Sequence, residues 1–483
     1  MFIFPRPLKQ EIKSGDFCFS QKVYLHISEK NADKNFLALY MELWSGFTAG
    51  LSALEFVCDL SDDGTAVLTV SKELPHLNKS ELNDYEYIVE STNSAVYLTF
   101  DGKTALAHAM STLLQMIQIN DTAKKEFGVG CCRICDKPSI KFRGIHLCLL
   151  PESSFELIEK TVRLCGLLKY THVVLEFWGT LRYDCLDVLG WKDNSYSKDT
   201  IRKLVATGNA MGIEFIPMFN HLGHAPQSRS CCGKHTVLDQ DPTLEKLFEP
   251  DGWTWCVSNP DTLKLLKDVR AELIELFGEG KYFHIGCDEA YTYATCDICS
   301  KKDKGKMLAD YINGVAEDLA SVGRQAIMWA DMTLGNDRFK LPYCVSPDAG
   351  FDPEEFLKNL SDDIILDDWQ YDVCEGDYLS GEYMAESHSR KNIIASPWGT
   401  KEPIWYLCRK VKEMNLGGIL ETTWNRLSEG YGSVMMTAVH CWQDEFTEDD
   451  TWEFFSCHTA KLLRKLKPAN GNYENSGYML KQM

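Results

Sequence analysis

The sequence lacks any hydrophobic run that approaches the roughly 18 consecutive apolar residues of a membrane-spanning helix. Its first residues, MFIFPRPLKQ, lack both the basic segment and the long apolar segment of a secretory signal, so none is expected. Basic residues are also scarce relative to acidic ones: 50 Lys and Arg stand against 70 Asp and Glu, a formal net charge of −20. Nucleic acids and anionic membranes need a basic surface, so neither is expected as a partner.

Short-period repeats and low-complexity segments are absent as well, which argues against a repeat architecture. The chain does have enough apolar residues for a large hydrophobic core, with 45% apolar residues, 12 Trp, 20 Tyr and 23 Phe. It also has 19 Cys, an odd and irregularly spaced set that includes the adjacent pairs Cys131–Cys132 and Cys231–Cys232. Without a signal peptide, reduced thiols are expected rather than a disulfide framework, and the predicted location is cytoplasmic.

The chain divides into two regions that differ in the pattern of their apolar residues. Residues 1–127 combine alternating apolar and polar strand segments with helical stretches near 36–51 and 104–119. These elements do not alternate regularly, so the region is predicted to be a small α+β domain. The Gly-, Cys- and Lys-rich segment KEFGVGCCRICDKP (125–138) is typical of a connection, and we predict a linker at 128–139.

Residues 140–483 show a strict alternation of buried-type strands and helix-period segments. The predicted strands are KFRGIHLCL (141–149), HVVLEFW (172–178), IEFIPMF (213–219), YFHIGC (282–287), AIMWAD (326–331), DIILDDW (363–369), NIIAS (392–396) and GGILET (417–422). Eight such units predict an α/β fold, a (β/α)₈ TIM barrel with C-terminal helices. A doubly wound open sheet is the structural alternative.

The barrel prediction places catalytic groups at the carboxyl ends of the strands, where the βα loops converge. The segment KYFHIGCDEAYTYATCDIC (281–299) puts Asp288 and Glu289 side by side at such an end. Neighbouring side chains of a strand point in opposite directions, so at its end they can address two sides of one ligand. Glycosidases need two carboxyl groups around the anomeric carbon, and sequence neighbours favour a mechanism whose nucleophile comes from the substrate. A solvated acidic loop start is the alternative.

The segment HIGCDE (284–289) resembles the His-x-Gly-x-Asp-Glu motif of glycoside hydrolase family 20, the β-N-acetylhexosaminidases. The resemblance extends over most of the chain. Within the family, the sequence most resembles the intracellular hexosaminidase D type. The resemblance to the family is carried by TFDGKTALAHAMSTLLQMI (99–117), PMFNHLGHA (217–225), MWADM (328–332), DDWQY (367–371) and GGILETTWNRL (417–427).

The resemblance implies distinct roles for the two carboxyls. Glu289 would be the general acid that protonates the glycosidic oxygen and later deprotonates water. Asp288 would accept a hydrogen bond from the acetamido N–H of the sugar and orient that group. The acetamido oxygen would then attack the anomeric carbon, and the configuration there would be retained.

Other residues at the predicted strand ends are candidates for substrate binding. Trp329, Trp369 and Trp424 suit the apolar walls that an acetamido methyl group and a sugar face require, although each could pack under a loop. The Tyr371 hydroxyl could donate to the acetamido carbonyl. Three polar candidates have structural alternatives: Asp331 could cap a helix, His224 could be a structural histidine, and Glu176 could pair with a basic neighbour.

Two departures from the family pattern concern recognition of the sugar hydroxyls. Many members carry an Asp-x-x-Arg-His-like segment after the first strand, whereas the corresponding HLCLLPESS (146–154) has no Arg. Asn220 stands where an Asp is common. Hydroxyl recognition is therefore expected to differ, and the preference between GlcNAc and GalNAc stays open.

Cys296 and Cys299 have the spacing of half a zinc site, and the preceding βα loop carries Cys231 and Cys232. Two adjacent Cys cannot readily chelate one ion together, so the second half of the site is irregular. Reduced, unligated thiols are favoured over a metal site, and a redox pair is disfavoured because the context is not thioredoxin-like.

These observations predict a retaining exo-β-N-acetylhexosaminidase that removes terminal β-linked GlcNAc and/or GalNAc without a cofactor. The expected partner is a small glycoside or oligosaccharide with a terminal N-acetylhexosamine, and self-association into a homo-oligomer is left open. The alternatives are a catalytically retired carbohydrate-binding barrel and a zinc-organised scaffold protein.

Overall fold

The computed structural model describes residues 3–62, 64–150, 153–225, 237–335, 350–371, 379–424, 427, 430–443 and 451–466. An eight-stranded sheet with two helices forms the first part, and a closed eight-stranded barrel forms the second. Among the described residues, no helix combines the length and the apolar character needed to cross a membrane.

The first part is an α+β layer, as predicted. Its strands are β1 (Lys9–Phe19), β2 (Lys22–His26), β3 (Ala53–Val57), β4 (Thr65–Thr69), β5 (Tyr87–Ser91), β6 (Val96–Phe100), β7 (Ile117–Asp121) and β8 (Glu126–Asp136). They lie in the order β1-β8-β5-β6-β4-β2-β3, with β7 also paired to β8, and all pairs except β2–β3 are antiparallel. The helices are α1 (Lys34–Phe47) and α2 (Gly102–Met116).

The prediction of a linker at 128–139 was wrong over most of its length. Residues up to Asp136 belong to β8, which is hydrogen-bonded to β1 and β7 along one edge and to β5 along the other. A Cβ at Gly128 would lie 3.4 Å from the Asn120 side chain, an ordinary contact distance, so the strand does not require glycine there. The composition of a linker thus occurs in a strand that is paired along both edges.

The (β/α)₈ barrel predicted from the sequence is confirmed. Its parallel strands are β9 (Phe142–Leu149), β10 (His172–Phe177), β11 (Glu214–Met218), β12 (Tyr282–His284), β13 (Gln325–Trp329), β14 (Ile365–Trp369), β15 (Ile393–Ser396) and β16 (Gly418–Glu421). They follow one another in chain order, and β16 closes the barrel on β9. Each described strand coincides with a predicted one to within three residues at either end.

Helices follow the barrel strands and cover them on the outside. They are α3 (Phe155–Leu167), α4 (Lys198–Ala210), the short α5 (Val237–Gln240), α6 (Pro260–Phe277), α7 (Lys304–Ser321), α8 (Pro353–Asn359), α9 (Leu379–Ser387), α10 (Lys401–Met414), α11 (Tyr431–Trp442) and α12 (Trp452–Leu463). Side chains of Ser154, Ser197 and Asn259 accept hydrogen bonds from backbone N–H groups in the first turns of α3, α4 and α6. Local sequence therefore sets where these helices begin.

The interior of the barrel is a packed core, which is aromatic at the carboxyl ends of the strands. Its buried side chains are Phe142, Val174, Ile216, Met218, Ile327, Trp329, Ile365, Ile394 and Leu420. Trp369 and Trp424 are half-buried and pack against this cluster. Because these indoles lie at or just beyond the carboxyl ends of β14 and β16, they close the core on the side where the βα loops converge.

Candidate active site at the carboxyl ends of the barrel strands

A cavity of about 270 Å³ opens at the carboxyl ends of the barrel strands. Its lining combines carboxylates, an imidazole and aromatic rings: Trp178, His224, Asp288, Glu289, Trp329, Trp369, Tyr371 and Trp424. Seven of these residues are site candidates named above, and the eighth, Trp178, is the last residue of the predicted strand 172–178. A pocket with apolar walls and a few convergent polar groups is the usual form of a small-molecule site.

The turn that follows β12 has an uncommon backbone. Gly286, Cys287 and Glu289 all adopt positive φ angles, of 66°, 74° and 47°. Side-chain-bearing residues occupy this region at a cost, and such conformations concentrate at functional sites. Hydrogen bonds hold the turn: the Gly286 N–H donates to His284 Nδ1 at 3.0 Å, and the Gly286 carbonyl accepts from the Trp329 N–H at 2.9 Å.

This turn brings both neighbouring carboxyls to the same cavity. Asp288 Oδ1 accepts a hydrogen bond from Asn220 Nδ2 at 3.0 Å, and its Oδ2 lies 3.3 Å from His224 Nε2. The same His224 nitrogen is 2.8 Å from Glu289 Oε2, and the Tyr291 hydroxyl donates to Glu289 Oε1 at 2.8 Å. One imidazole edge thus contacts both carboxylates, so His224 is part of the site.

Asp331 holds the acidic turn in place through hydrogen bonds. Its Oδ2 accepts from the Glu289 N–H at 2.9 Å, and its Oδ1 accepts from Trp369 Nε1 at 3.2 Å. These two donors favour the ionised carboxylate, but burial and the charge of Asp288 outweigh them and raise the pKa of Asp331 to about 8. Asp331 therefore connects the acidic turn to the aromatic wall.

The aromatic wall is a set of rings in mutual contact. The Trp329 and Trp424 rings are 5.9 Å apart, and those of Trp369 and Tyr371 are 5.2 Å apart. Trp424 Nε1 donates to the Tyr371 hydroxyl oxygen at 2.6 Å. The His146 ring, 4.5 Å from that of Trp424, supports the set from the barrel interior. The walls are therefore apolar and held in place by hydrogen bonds at their edges.

Glu176 is not part of the cavity lining. Its Oε2 lies 3.0 Å from His146 Nε2, and both side chains are buried in the barrel interior. Glu176 is thus paired with His146, and a role in binding a substrate hydroxyl stays a prediction. Trp178, two residues further along the chain, lines the cavity instead, because β10 ends at Phe177 and the chain turns there.

Two residues near the acidic pair carry no signal in the sequence. Trp253 Nε1 donates to the Glu289 carbonyl at 2.6 Å, and its ring is 4.5 Å from that of His224. Tyr291 contacts the Glu289 side chain, as described above. Trp253 lies in the long connection between β11 and α6, where neither periodicity nor a motif indicates which residues turn back toward the strand ends.

Comparison with known proteins places this site in a family. Residues 176–377 match the model described as "Glycosyl hydrolase family 20, catalytic domain". The matched segment belongs to glycosyl hydrolase family 20. The matched segment contains the acidic turn, His224, Asp331 and Tyr371, whereas Trp424 lies beyond it.

Similar proteins include a chitooligosaccharidolytic β-N-acetylglucosaminidase of Ostrinia furnacalis, 24% identical over 212 residues that cover 40% of this chain and 34% of the relative. A β-hexosaminidase of Akkermansia muciniphila is 22% identical over 308 residues, covering 56% of this chain and 59% of the relative. The matches thus span between about a third and three fifths of these curated relatives.

Among solved structures, the family 20 exo-β-N-acetylglucosaminidase of Vibrio harveyi, in complex with N-acetylglucosamine, superposes with a TM-score of 0.69. The superposition covers 97% of this chain and 78% of the Vibrio protein at 15% identity. At that identity the likeness establishes a shared fold.

The cysteines proposed for a metal site are only partly described. Cys231 and Cys232 lie outside the described residues. Cys296 and Cys299, in the loop between β12 and α7 of this family 20 barrel, lie beside Cys256 and Glu249 of the preceding βα loop. The sequence spacing did not indicate these two partners.

Proposed function

We propose that this protein is a retaining exo-β-N-acetylhexosaminidase that uses the acetamido group of its substrate as the nucleophile. The observation that supports this most directly is the acidic turn, whose neighbouring carboxyls, Asp288 and Glu289, face one aromatic cavity and contact one imidazole nitrogen. Family 20 membership and the names of the relatives support the same activity.

The two carboxyls differ in exposure in a way that suits two roles. The Glu289 side chain is 28% exposed, whereas that of Asp288 is 9% exposed and held by Asn220. The more exposed carboxyl is suited to protonate the glycosidic oxygen, because the leaving group departs toward solvent. The more buried Asp288 is suited to accept the acetamido N–H and to stabilise positive charge on that group.

The reaction then proceeds in two steps. Protonated Glu289 donates to the glycosidic oxygen while the acetamido oxygen attacks the anomeric carbon, which yields an oxazolinium ion and releases the aglycone. Water then attacks the same carbon, Glu289 accepts its proton, and the ring of the oxazolinium ion opens. Two inversions at one carbon give net retention.

The aromatic walls suit the sugar and its acetamido arm. Trp329, Trp369 and Trp424 offer apolar surface to the acetamido methyl and to the faces of the sugar ring. We propose that the Tyr371 hydroxyl donates to the acetamido carbonyl, because its oxygen already accepts from Trp424 Nε1. This contact would hold the carbonyl oxygen toward the anomeric carbon.

The size of the cavity supports removal of single terminal residues. Its volume of about 270 Å³ is slightly below the range of about 300–1,000 Å³ typical of pockets for drug-sized ligands. Such a cavity suits one N-acetylhexosamine better than an extended glycan chain. The proposal includes both GlcNAc and GalNAc as the terminal sugar that is removed.

Paired variants test the roles of the two carboxyls. Glu289→Gln should lower kcat by about a hundredfold or more on glycosides with poor leaving groups, and less on nitrophenyl glycosides, which need little protonation. Asp288→Asn should impair both classes, because the acetamido attack is common to both. Aryl-β-GlcNAc and aryl-β-GalNAc are assayed side by side, with Glu317→Gln on the exposed face of α7 as the control.

Near-wild-type turnover of a natural disaccharide by Glu289→Gln would refute the acid role. Equal hydrolysis of aryl-β-glucosides, which lack the acetamido arm, would refute substrate assistance. Binding of N-acetylhexosamines without turnover of any glycoside would favour the retired carbohydrate-binding barrel instead. A thiazoline mimic of the oxazolinium ion should inhibit the wild type competitively. The cytoplasmic location, the likeness to hexosaminidase D and self-association stay predictions.

A further inference from the structure

Four side chains converge beside the active-site loops, at a place that the glycosidase mechanism does not use. They come from two connections, β11 to α6 and β12 to α7: Glu249, Cys256, Cys296 and Cys299. One potential ligand atom from each lies within 4.8 Å of all the others. We propose that this Cys₃Glu cluster binds one zinc ion as a structural site.

The sulfur positions match the geometry of zinc. Cys256 Sγ lies 3.8 Å from both Cys296 Sγ and Cys299 Sγ. With zinc–sulfur bonds of about 2.3 Å, the sulfurs of a tetrahedral site are separated by about 3.8 Å. An ion could therefore be accommodated between the thiolates with little rearrangement. Cys296 and Cys299 also have the Cys-x-x-Cys spacing typical of structural zinc sites.

Glu249 offers the fourth ligand. It is 1% exposed, and its Oε2 accepts from the N–H groups of Thr295 and Cys296 at 2.9 and 2.7 Å. Its Oε1 is buried and has no hydrogen-bond partner among the described residues. A buried carboxylate oxygen without a donor is costly, and coordination to a cation would satisfy it. The hydrogen bonds to Oε2 would keep the carboxylate in place.

Backbone amides surround the sulfurs as they do in thiolate metal sites. The Cys299 N–H donates to Cys296 Sγ at 3.3 Å, and the Ile298 N–H points to the same sulfur. The backbone amide of Ser258 lies close to Cys256 Sγ. Such donors stabilise negative charge on sulfur, which metal binding requires. Three thiolates and one carboxylate carry the same total charge as a four-cysteine zinc site.

A second close cysteine pair shows what distinguishes this cluster. Cys408 Sγ and Cys441 Sγ are also 3.8 Å apart and buried. Within the described part of the chain, however, no further His, Cys, Asp or Glu ligand joins that pair. Among the described residues, two thiols thus lie close together at Cys408 and Cys441 as well, whereas three thiols and a carboxylate converge at the Cys₃Glu cluster.

A zinc ion here would brace the loops that hold the acidic turn. The segment from Glu249 to Cys256 contains Trp253, which donates to the Glu289 carbonyl. The same segment bonds to the later loop through Asp251, whose Oδ1 accepts from the Thr292 hydroxyl at 3.0 Å. An ion between these two connections would thus limit movement of the turn without contacting substrate.

Metal analysis of the purified full chain tests the proposal independently of any glycosidase activity. Protein purified without chelator should contain about one zinc per chain by plasma mass spectrometry. Cys256→Ser and Cys299→Ser should each reduce the zinc content to below about a tenth of that value. Glu249→Gln should bind zinc more weakly in a competition with a chromogenic chelator. Cys58→Ser, at an exposed thiol outside the cluster, should retain full zinc content.

Cobalt substitution provides a readout in the wild-type chain, should the serine variants fail to fold. Cobalt-loaded protein should show thiolate-to-metal charge-transfer absorption and the visible bands of a tetrahedral site. Removal of zinc by chelation should lower the melting temperature of the wild type but not that of Cys256→Ser. Three outcomes would overturn the proposal: metal-free wild type after purification with added zinc, stoichiometric binding of another metal instead, or a disulfide between two of the three cysteines in intact-mass measurements under native conditions.

Discussion

At the scale of single residues, the site depends on carboxyls that differ in their surroundings. Glu289 is partly exposed, Asp288 is largely buried, and Asp331 is almost completely buried. Burial and a neighbouring charge raise the pKa of Asp331 to about 8. Outside the cavity, burial alone raises the pKa of Glu421 to about 8 as well, and its Oε2 accepts from the Thr437 hydroxyl at 2.7 Å.

Asp331 and Glu421 should make the stability of the wild type fall with increasing pH. In the folded chain their pKa is raised above the unfolded value of about 4, so the folded state holds protons that the unfolded state releases. The contribution of these protonated carboxyls to the free energy of unfolding is fully present below about pH 4 and is lost as pH rises through about 8. Each carboxyl contributes a loss of at most about 1.4 kcal/mol per pH unit. Asp331→Asn and Glu421→Gln should each flatten the dependence of melting temperature on pH between about 5 and 8.

Activity separates the two variants. Both oxygens of Asp331 accept from N–H groups, so an Asn side chain would turn its NH₂ toward one donor. Loss of that bond should reduce kcat about tenfold in Asp331→Asn, whereas Glu421→Gln should leave kcat near the wild-type value. An unchanged pH dependence of melting in both variants would contradict the raised pKa values.

At the scale of elements, the turn after β12 decides where the catalytic groups point. A regular continuation of the strand would send Asp288 and Glu289 to opposite faces. The positive φ angles of Gly286, Cys287 and Glu289 instead turn both side chains to one cavity. Asn220, at the end of the neighbouring strand, packs against Gly286 and donates to Asp288.

Gly286→Ala should therefore disrupt the site. A Cβ at this position would lie 2.1 Å from Asn220 Oδ1, and the φ of 66° disfavours a side chain as well. Displacement of Asn220 would move Asp288, so kcat/KM should fall about a hundredfold, together with a lower melting temperature. The value of kcat/KM is measured with aryl glycosides, and the melting temperature is measured by circular dichroism.

Gly314→Ala is the matched control for that substitution. Gly314 lies on the exposed side of α7, and a Cβ there would meet nothing within 4 Å. This variant should retain full activity and gain up to about 1 kcal/mol in stability. Wild-type activity of Gly286→Ala would show that the turn tolerates a side chain and does not position Asp288.

At the scale of the whole molecule, the sheet domain and the barrel share buried polar contacts. Asp136, at the end of β8, accepts from Lys169 Nζ at 3.1 Å and from Trp442 Nε1 at 2.7 Å. Lys169 Nζ also donates to the Tyr87 hydroxyl oxygen at 2.7 Å. Helix α1 adds an ion pair between Glu42 and Arg163 of α3 at 2.9 Å. The two parts are thus joined by specific, largely desolvated groups.

Lys169→Met should destabilise the chain by about 3–5 kcal/mol, because it leaves the charge of Asp136 buried without its cationic partner. Lys306→Met, which removes an exposed pair with Asp310 on α7, should leave the melting temperature nearly unchanged. Thermal unfolding followed by circular dichroism measures both effects. Equal melting temperatures for the two variants would show that the buried pair contributes nothing to the association of the two parts.

Much of the architecture could be predicted from the sequence because it depends on local periodicity. The eight barrel strands are short apolar runs between amphipathic helices, and side chains next to three of these helices, Ser154, Ser197 and Asn259, cap their first turns. The site residues at strand ends followed from the barrel, since parallel strands present their carboxyl ends together. The motif HIGCDE indicated the family for the same local reason.

Tertiary structure decided what depends on distant partners. Segment 128–136 is a strand because three other strands pair with it, and Glu176 is paired inside the barrel with His146 of the adjacent strand β9. Cys256 and Glu249 join Cys296 and Cys299 only when two long loops fold over each other. Periodicity and spacing report on neighbours along the chain, so the sequence by itself determined the barrel and its acidic turn. Contacts between remote loops determined which other side chains complete the two sites.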